Sequence, residues 1–133
     1  MIGIVVVSHS KKLAQEAIEL VEEMKRYNFP LINGSGTDGE FLGSNPLLIK
    51  EAIEKAYTKD GVLLFVDIGS SVLNSKIAFD FLEDNIDKTK VKIADAPLIE
   101  GLLAAVAIND EKATIKEMLE ELDECKNISK LVY

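Results

Sequence analysis

The chain is poor in several residue types, and each shortage narrows what it can be. It has one cysteine, so no internal disulfide can form, which fits a reducing cytoplasm. It has no tryptophan and only 6% aromatic residues. Basic residues are scarce, with 15 Lys and Arg against 23 Asp and Glu, a formal charge of −8. That balance argues against nucleic acid as the main partner, because phosphate backbones are met by Lys/Arg stripes. It favours a basic protein partner through steering of encounter. No apolar run approaches the roughly 20 residues that span a bilayer, so no membrane partner is expected. The apolar N-terminus lacks a basic n-region and a cleavage site, and reads as a strand rather than a signal peptide. There is no Walker A sequence. There is one histidine, His9.

What remains is a globular composition, 47% hydrophobic and 29% charged over 133 residues, expected to form a single domain over 1–133. Ile2–Val7 is apolar and mostly β-branched, the pattern of a strand buried on both faces. Ser8 or Ser10 can cap the helix that follows, whose Leu13, Ala17, Leu20, Val21 and Met24 recur at helical spacing. Phe29–Ile32 reads as a short second strand, and the glycines and polar residues of Asn33–Ser44 as a loop. Pro46 opens a helix to about Tyr57. Val62–Val66 is another continuous apolar strand, ending on Asp67-Ile68-Gly69-Ser70-Ser71. The next helix has Leu73, Ile77, Ala78, Phe81 and Leu82 as its inward face. Val91–Ala94 is a fourth strand, and Asp95–Gly101 turns into a helix through about Ile108. Thr114 caps a last helix with Ile115, Met118, Leu119 and Leu122 inward. Residues 131–133 are an optional terminal strand.

Alternating strands and helices predict a three-layer α/β/α fold around an open parallel sheet of about four strands. In the order 2-1-3-4, strands one and three are neighbours about 5 Å apart. Ligands of such sheets sit beyond the carboxyl ends of the strands. His9 and Asp67 follow their strands by two and one positions, so they are expected to meet there. A carboxylate accepting one ring N–H fixes the tautomer and leaves the other nitrogen as a nucleophile. A phosphoryl group on that nitrogen would find N–H donors at the helix starts after Ser10 and at Gly69, Ser70 and Ser71. It would need no metal and no cofactor.

Plainer roles compete. A histidine at a rim is often only a cap, Asp67 alone reads first as an N-cap, and Ser8, Ser10, Ser70 and Ser71 read first as caps. Gly34-x-Gly36-x-x-Gly39 matches the dinucleotide fingerprint by letters, but it does not open a helix directly from the first strand. A loop over the site is the better reading. Asp95 and Glu100 read as capping or solvating the fourth strand–helix junction, and Cys125 as an inert structural thiol. A receiver domain would need an acidic pair after strand one, which Ser8-His9-Ser10 does not supply. A flavin or dinucleotide binder and a noncatalytic interaction module are further alternatives.

Four segments, IVVVSHSKKLA, GTDGEFLGS, VDIGSSVLNSKIAFDFL and DAPLIEG, resemble in order the mannose-type IIA domains of the bacterial phosphotransferase system. The Asp-x-Gly-Ser and APLIEG segments resemble the branch that serves phosphoenolpyruvate-dependent dihydroxyacetone kinases. The resemblance covers nearly the whole chain. It implies that His9 accepts a phosphoryl group on Nε2 from HPr, oriented by Asp67, and passes it to ADP on the nucleotide-binding subunit DhaL. It also implies a homodimer. Some members carry further HPr-like and enzyme-I-like domains, before which this chain is expected to end. Gly43-Ser44 stands where the family commonly has Gly-Thr. The alternative within the family is the IIA component of a sugar transporter.

Overall fold

The computed structural model describes residues 1–39 and 41–131. Its centre is a pair of parallel strands, β1 (Gly3–Val7) and β3 (Val62–Val66), in register from Gly3 opposite Val62 to Val7 opposite Val66. The short strands β2 (Leu31–Asn33) and β4 (Val91–Ile93) flank them, giving the order β2-β1-β3-β4, all parallel. The helices between them are α1 (Lys11–Glu22), α2 (Pro46–Ala56) and α3 (Gly69–Asp80), and α4 (Leu98–Ile108) comes after β4. Helix α5 (Ile115–Asp123) follows.

The alternation of side chains along a strand splits the core into two layers. Ile4, Val6, Leu63 and Phe65 pack with Ala14, Ile18, Leu102, Val106, Met118 and Leu122, beneath α1, α4 and α5. Val5, Val7, Val62 and Leu64 pack with Ile49, Ala52, Ile53 and Ala78, beneath α2 and α3. Burial on both faces explains why the central strands are unbroken apolar runs. A Cβ on Gly3 would lie 1.8 Å from the Ala56 carbonyl oxygen, so glycine lets α2 rest directly on β1.

Two helices turn a different face inward from the one that residue size suggests. Helix α1 buries Ala14, Ala17, Ile18 and Val21, whereas Leu13, Leu20 and Met24 are about half exposed. Helix α3 buries Ser71, Ser75 and Ala78 and leaves Leu73, Ile77 and Phe81 in solvent. Close approach to a neighbour selects small side chains, and this outweighs the pull of the large apolar residues. The second strand begins two residues later than Phe29, which is itself buried in the core. Asn109, 1% exposed, brackets Ile2, accepting from its N–H and donating to its C=O. It satisfies backbone groups ahead of β1. Of the optional terminal strand, Leu131 is irregular and exposed, and Val132 and Tyr133 lie outside the described residues.

Candidate functional site

Because β1 and β3 end flush, the residues just beyond them are forced together. The Asp67 N–H still reaches the Val7 carbonyl, at 3.3 Å, and Ser8 and His9 leave the sheet beside it. His9 Nδ1 lies 3.0 Å from Asp67 Oδ1. The imidazole and carboxylate side chains are 27% and 17% exposed, so the pair sits at the surface with the acid underneath.

Five donors converge on the Asp67 carboxylate. Oδ2 accepts from the Ser8 hydroxyl at 2.8 Å and the His9 amide at 2.9 Å. Oδ1 accepts from the His9 ring, from the Ile68 amide at 2.7 Å and from the Ser71 hydroxyl at 2.8 Å. Burial pushes the carboxyl pKa up, but the bonds from the His9 amide and ring, the Ser8 hydroxyl and the Ile68 amide outweigh it. They hold it well below the ordinary carboxylate range. An ionised carboxylate can only accept, so the Nδ1 it faces carries the ring proton. The lone pair is therefore on Nε2, where the Ser70 hydroxyl donates to it.

The backbone around the histidine is pinned from several sides. Ser8 is fully buried; its amide donates to Ser35 Oγ at 2.8 Å, and its own Oγ accepts the Ser10 amide at 3.0 Å. The His9 carbonyl accepts from the Gly43 amide at 2.7 Å, which brings the glycine-rich loop onto the site. That loop is tied to α3 by Asn74 Nδ2, which donates to Ser44 Oγ at 2.6 Å.

Every sequence-derived candidate falls at this rim, with different duties. Ser10 is the N-cap of α1, its Oγ accepting from the Leu13 amide at 3.2 Å. Gly69 opens α3, with nothing within 4 Å of where its Cβ would be. The Gly69 and Ser70 amides have no acceptor among the described residues. Ser71 is buried against the carboxylate. Asp67 itself is not the α3 N-cap: that position belongs to Ile68, with no side-chain cap. The reading of Ser8 as a cap missed its grip on the carboxylate, and Ser35 was missed altogether; a lone serine in a loop carries no signal of burial. Asp95 and Glu100 pair with Lys126 and Lys130 instead of the site. Cys125 is buried, and burial pushes its thiol pKa up. Among the described residues no acidic, His and Cys cluster is arranged to hold a metal ion. No helix among them is long and apolar enough to cross a membrane.

A fixed tautomer, an ionised acid beneath it and donors around an exposed nitrogen suit a nucleophile that carries an anionic group. Residues 3–123 match the family model EIIA-man, described as "PTS system fructose IIA component". A curated relative from Listeria innocua, "PEP-dependent dihydroxyacetone kinase 2, phosphoryl donor subunit DhaM", is 34% identical over 122 residues. The match covers 92% of this chain and 97% of that protein. Another, from Providencia stuartii, "PEP-dependent dihydroxyacetone kinase, phosphoryl donor subunit DhaM", is 34% identical across 91% of this chain, which spans only 26% of that protein. Among solved structures, EF1359, of unknown function, superposes with a TM-score of 0.75 and 33% identity, covering 90% of this chain and 91% of that one. The phosphotransferase component EIIA from Streptococcus agalactiae superposes at 0.69 with 14% identity over 97% of this chain and 96% of that one, a likeness of fold.

Proposed function

This chain belongs to the EIIA-man family of phosphotransferase-system components, and from that premise we propose that it is the phosphoryl donor subunit of a phosphoenolpyruvate-dependent dihydroxyacetone kinase. Residues 1–133 act as one IIA domain, in the cytoplasm, as a homodimer. His9 accepts a phosphoryl group from the histidine phosphocarrier HPr and passes it to ADP bound on the DhaL subunit.

The observation that carries this reading is the Nδ1–Asp67 contact of 3.0 Å, with Nε2 turned to the open rim. In the first step the phosphorus–nitrogen bond of the donor breaks and a bond to Nε2 forms, using its lone pair. Nδ1 keeps its proton, so the ring gains positive charge directly against the ionised Asp67, which stabilises it. The Ser70 hydroxyl leaves Nε2 and donates to a phosphoryl oxygen. The Gly69 and Ser70 amides and the free hydroxyl proton of Ser10 are the remaining donors, helped by the positive ends of α1 and α3, while Ser71, whose hydroxyl proton is held by Asp67, acts through the carboxylate. In the second step the same bond breaks and the phosphoryl group leaves for ADP. No metal or cofactor of this chain enters either step.

The test is one incubation with phosphoenolpyruvate, enzyme I and HPr, followed by mass spectrometry before and after acid. The expected result is one added phosphoryl group, lost in acid as phosphohistidine is, and absent from His9→Ala. An unmodified chain, or an acid-stable adduct, overturns the reading. The family takes its description from a fructose system, which favours the transporter IIA as the second reading. Transfer to DhaL-bound ADP, rather than to a sugar-specific IIB component, separates the two.

A further inference from the structure

Helix α3 is built with its polarity reversed. It meets the rest of the chain through Ser71, Ser75 and Ala78, all fully buried, and turns Leu73, Ile77 and Phe81 outward, 60%, 38% and 54% exposed. Steps of four residues align those three side chains in one stripe along the helix. Nothing in the chain covers them among the described residues.

We propose that this stripe is the surface on which a second copy of the chain docks, two α3 helices crossing antiparallel about a two-fold axis at Ile77. The proposal rests on the homodimer of the preceding reading and names its interface. The stripe is self-complementary under that operation. Ile77 meets its own copy, while Leu73 and Phe81, equally spaced on either side, meet each other twice. Charge follows the same symmetry. At 100° per residue, Lys76 and Asp80 lie on one flank of the stripe. The two-fold sets each Lys76 within a turn of the opposite Asp80, and it does so twice. Neither residue forms a salt bridge within the chain among the described residues. Two copies carrying −8 each repel at a distance, so a contact between them needs locally matched charges of this kind. A helix of 12 residues is about 18 Å long. That is small for an interface, which usually engages about 800 Å² per partner, so reversible association in the micromolar range is expected.

Sedimentation equilibrium on the full chain tests this, with helicity by circular dichroism and phosphoryl acceptance at His9 measured on every variant. The wild type should be a concentration-dependent dimer. Ile77→Asp places a charge on the axis and should weaken association by about 100-fold, with helicity unchanged because the side chain is outside the core. Lys76→Glu should weaken it about tenfold, and adding Asp80→Lys should restore it. A wild type that stays monomeric, a dimer indifferent to Ile77→Asp, or a double variant no tighter than Lys76→Glu overturns the proposal. So does a monomer in which Ile77→Asp slows acceptance from HPr, since the stripe would then belong to that partner. Dimerisation through α3 with no phosphorylation of His9 leaves this interface standing and removes the functional reading instead.

Discussion

Replacing Asp67 by asparagine keeps the shape of the side chain and removes its charge. In the native site both carboxylate oxygens only accept, three bonds on Oδ1 and two on Oδ2. An asparagine must present an NH₂ in place of one oxygen. If it faces Oδ2's partners, the Ser8 hydroxyl can rotate to accept, but the His9 amide is left unpaired. If it faces Oδ1's partners, the Ile68 amide and the His9 ring both lose their acceptor. A hydrogen bond to a charged group is worth about 1.5–3 kcal/mol, so losing one, offset by the easier burial of a neutral amide, should lower stability by about 1–2 kcal/mol. The rate should suffer more specifically. The ring loses the partner that holds its tautomer and stabilises its charge, and a 10–100-fold fall in phosphoryl acceptance corresponds to about 1.4–2.7 kcal/mol in the barrier. Quenched-flow mass spectrometry of phospho-His9 measures it. Acceptance within twofold of wild type would show that the carboxylate does not support the ring. The pH dependence gives a second check. The folded Asp67 pKa is depressed, so its contribution to stability is fully present above the ordinary carboxylate value of about 3.9 and is lost as pH falls through the depressed value. The stability gap between wild type and Asp67→Asn should therefore be flat from neutral pH to about pH 5 and close only in stronger acid.

Three further outcomes follow from other parts of the molecule. The wild type's phosphoryl acceptance should be slower in acid than near neutrality, because a protonated imidazole has no lone pair to attack with; an initial rate indifferent to acidification contradicts attack by Nε2. Gly3→Ala should lower stability by about 3 kcal/mol or more, measured by urea denaturation, since its Cβ would lie 1.8 Å from the Ala56 carbonyl oxygen; a loss under about 0.5 kcal/mol would mean that α2 does not rest on β1 there. Cys125 should resist alkylation in the native state and react on unfolding, because its thiol is buried and its pKa raised; rapid native labelling would place that segment in solvent.

The strand framework was legible because doubly covered strands leave little choice: only apolar residues survive on both faces of β1 and β3. Alternation of elements gave a parallel sheet but not its order; right-handed crossovers leave few orders, and choosing 2-1-3-4 among them placed His9 beside Asp67. Helix faces were less legible. Residue size alone points Leu13, Leu20, Leu73 and Phe81 inward, but α1 and α3 approach their neighbours through Ala14, Ala17, Ser71 and Ser75. Distance of approach is a tertiary property that periodicity does not record. Buried hydroxyls were the least legible. Ser8 and Ser35 lie within a few residues of turns, where serine has many local uses, and only the fold reveals that both support the histidine segment. Asn109 is similar: nothing local foretells that it serves Ile2, 107 positions away.

The flush ending of β1 and β3 also sorts the chain by its tolerance of length changes. Extra residues between Asp110 and Thr114, in the connection from α4 to α5, only lengthen an arch. One extra residue inside either five-residue strand turns every following side chain over to the opposite layer and slides the imidazole about 3.3 Å past its acid. Insertions and deletions accumulating over evolutionary time are thereby steered into the connecting arches, and the ten residues of those two strands are left with a fixed length.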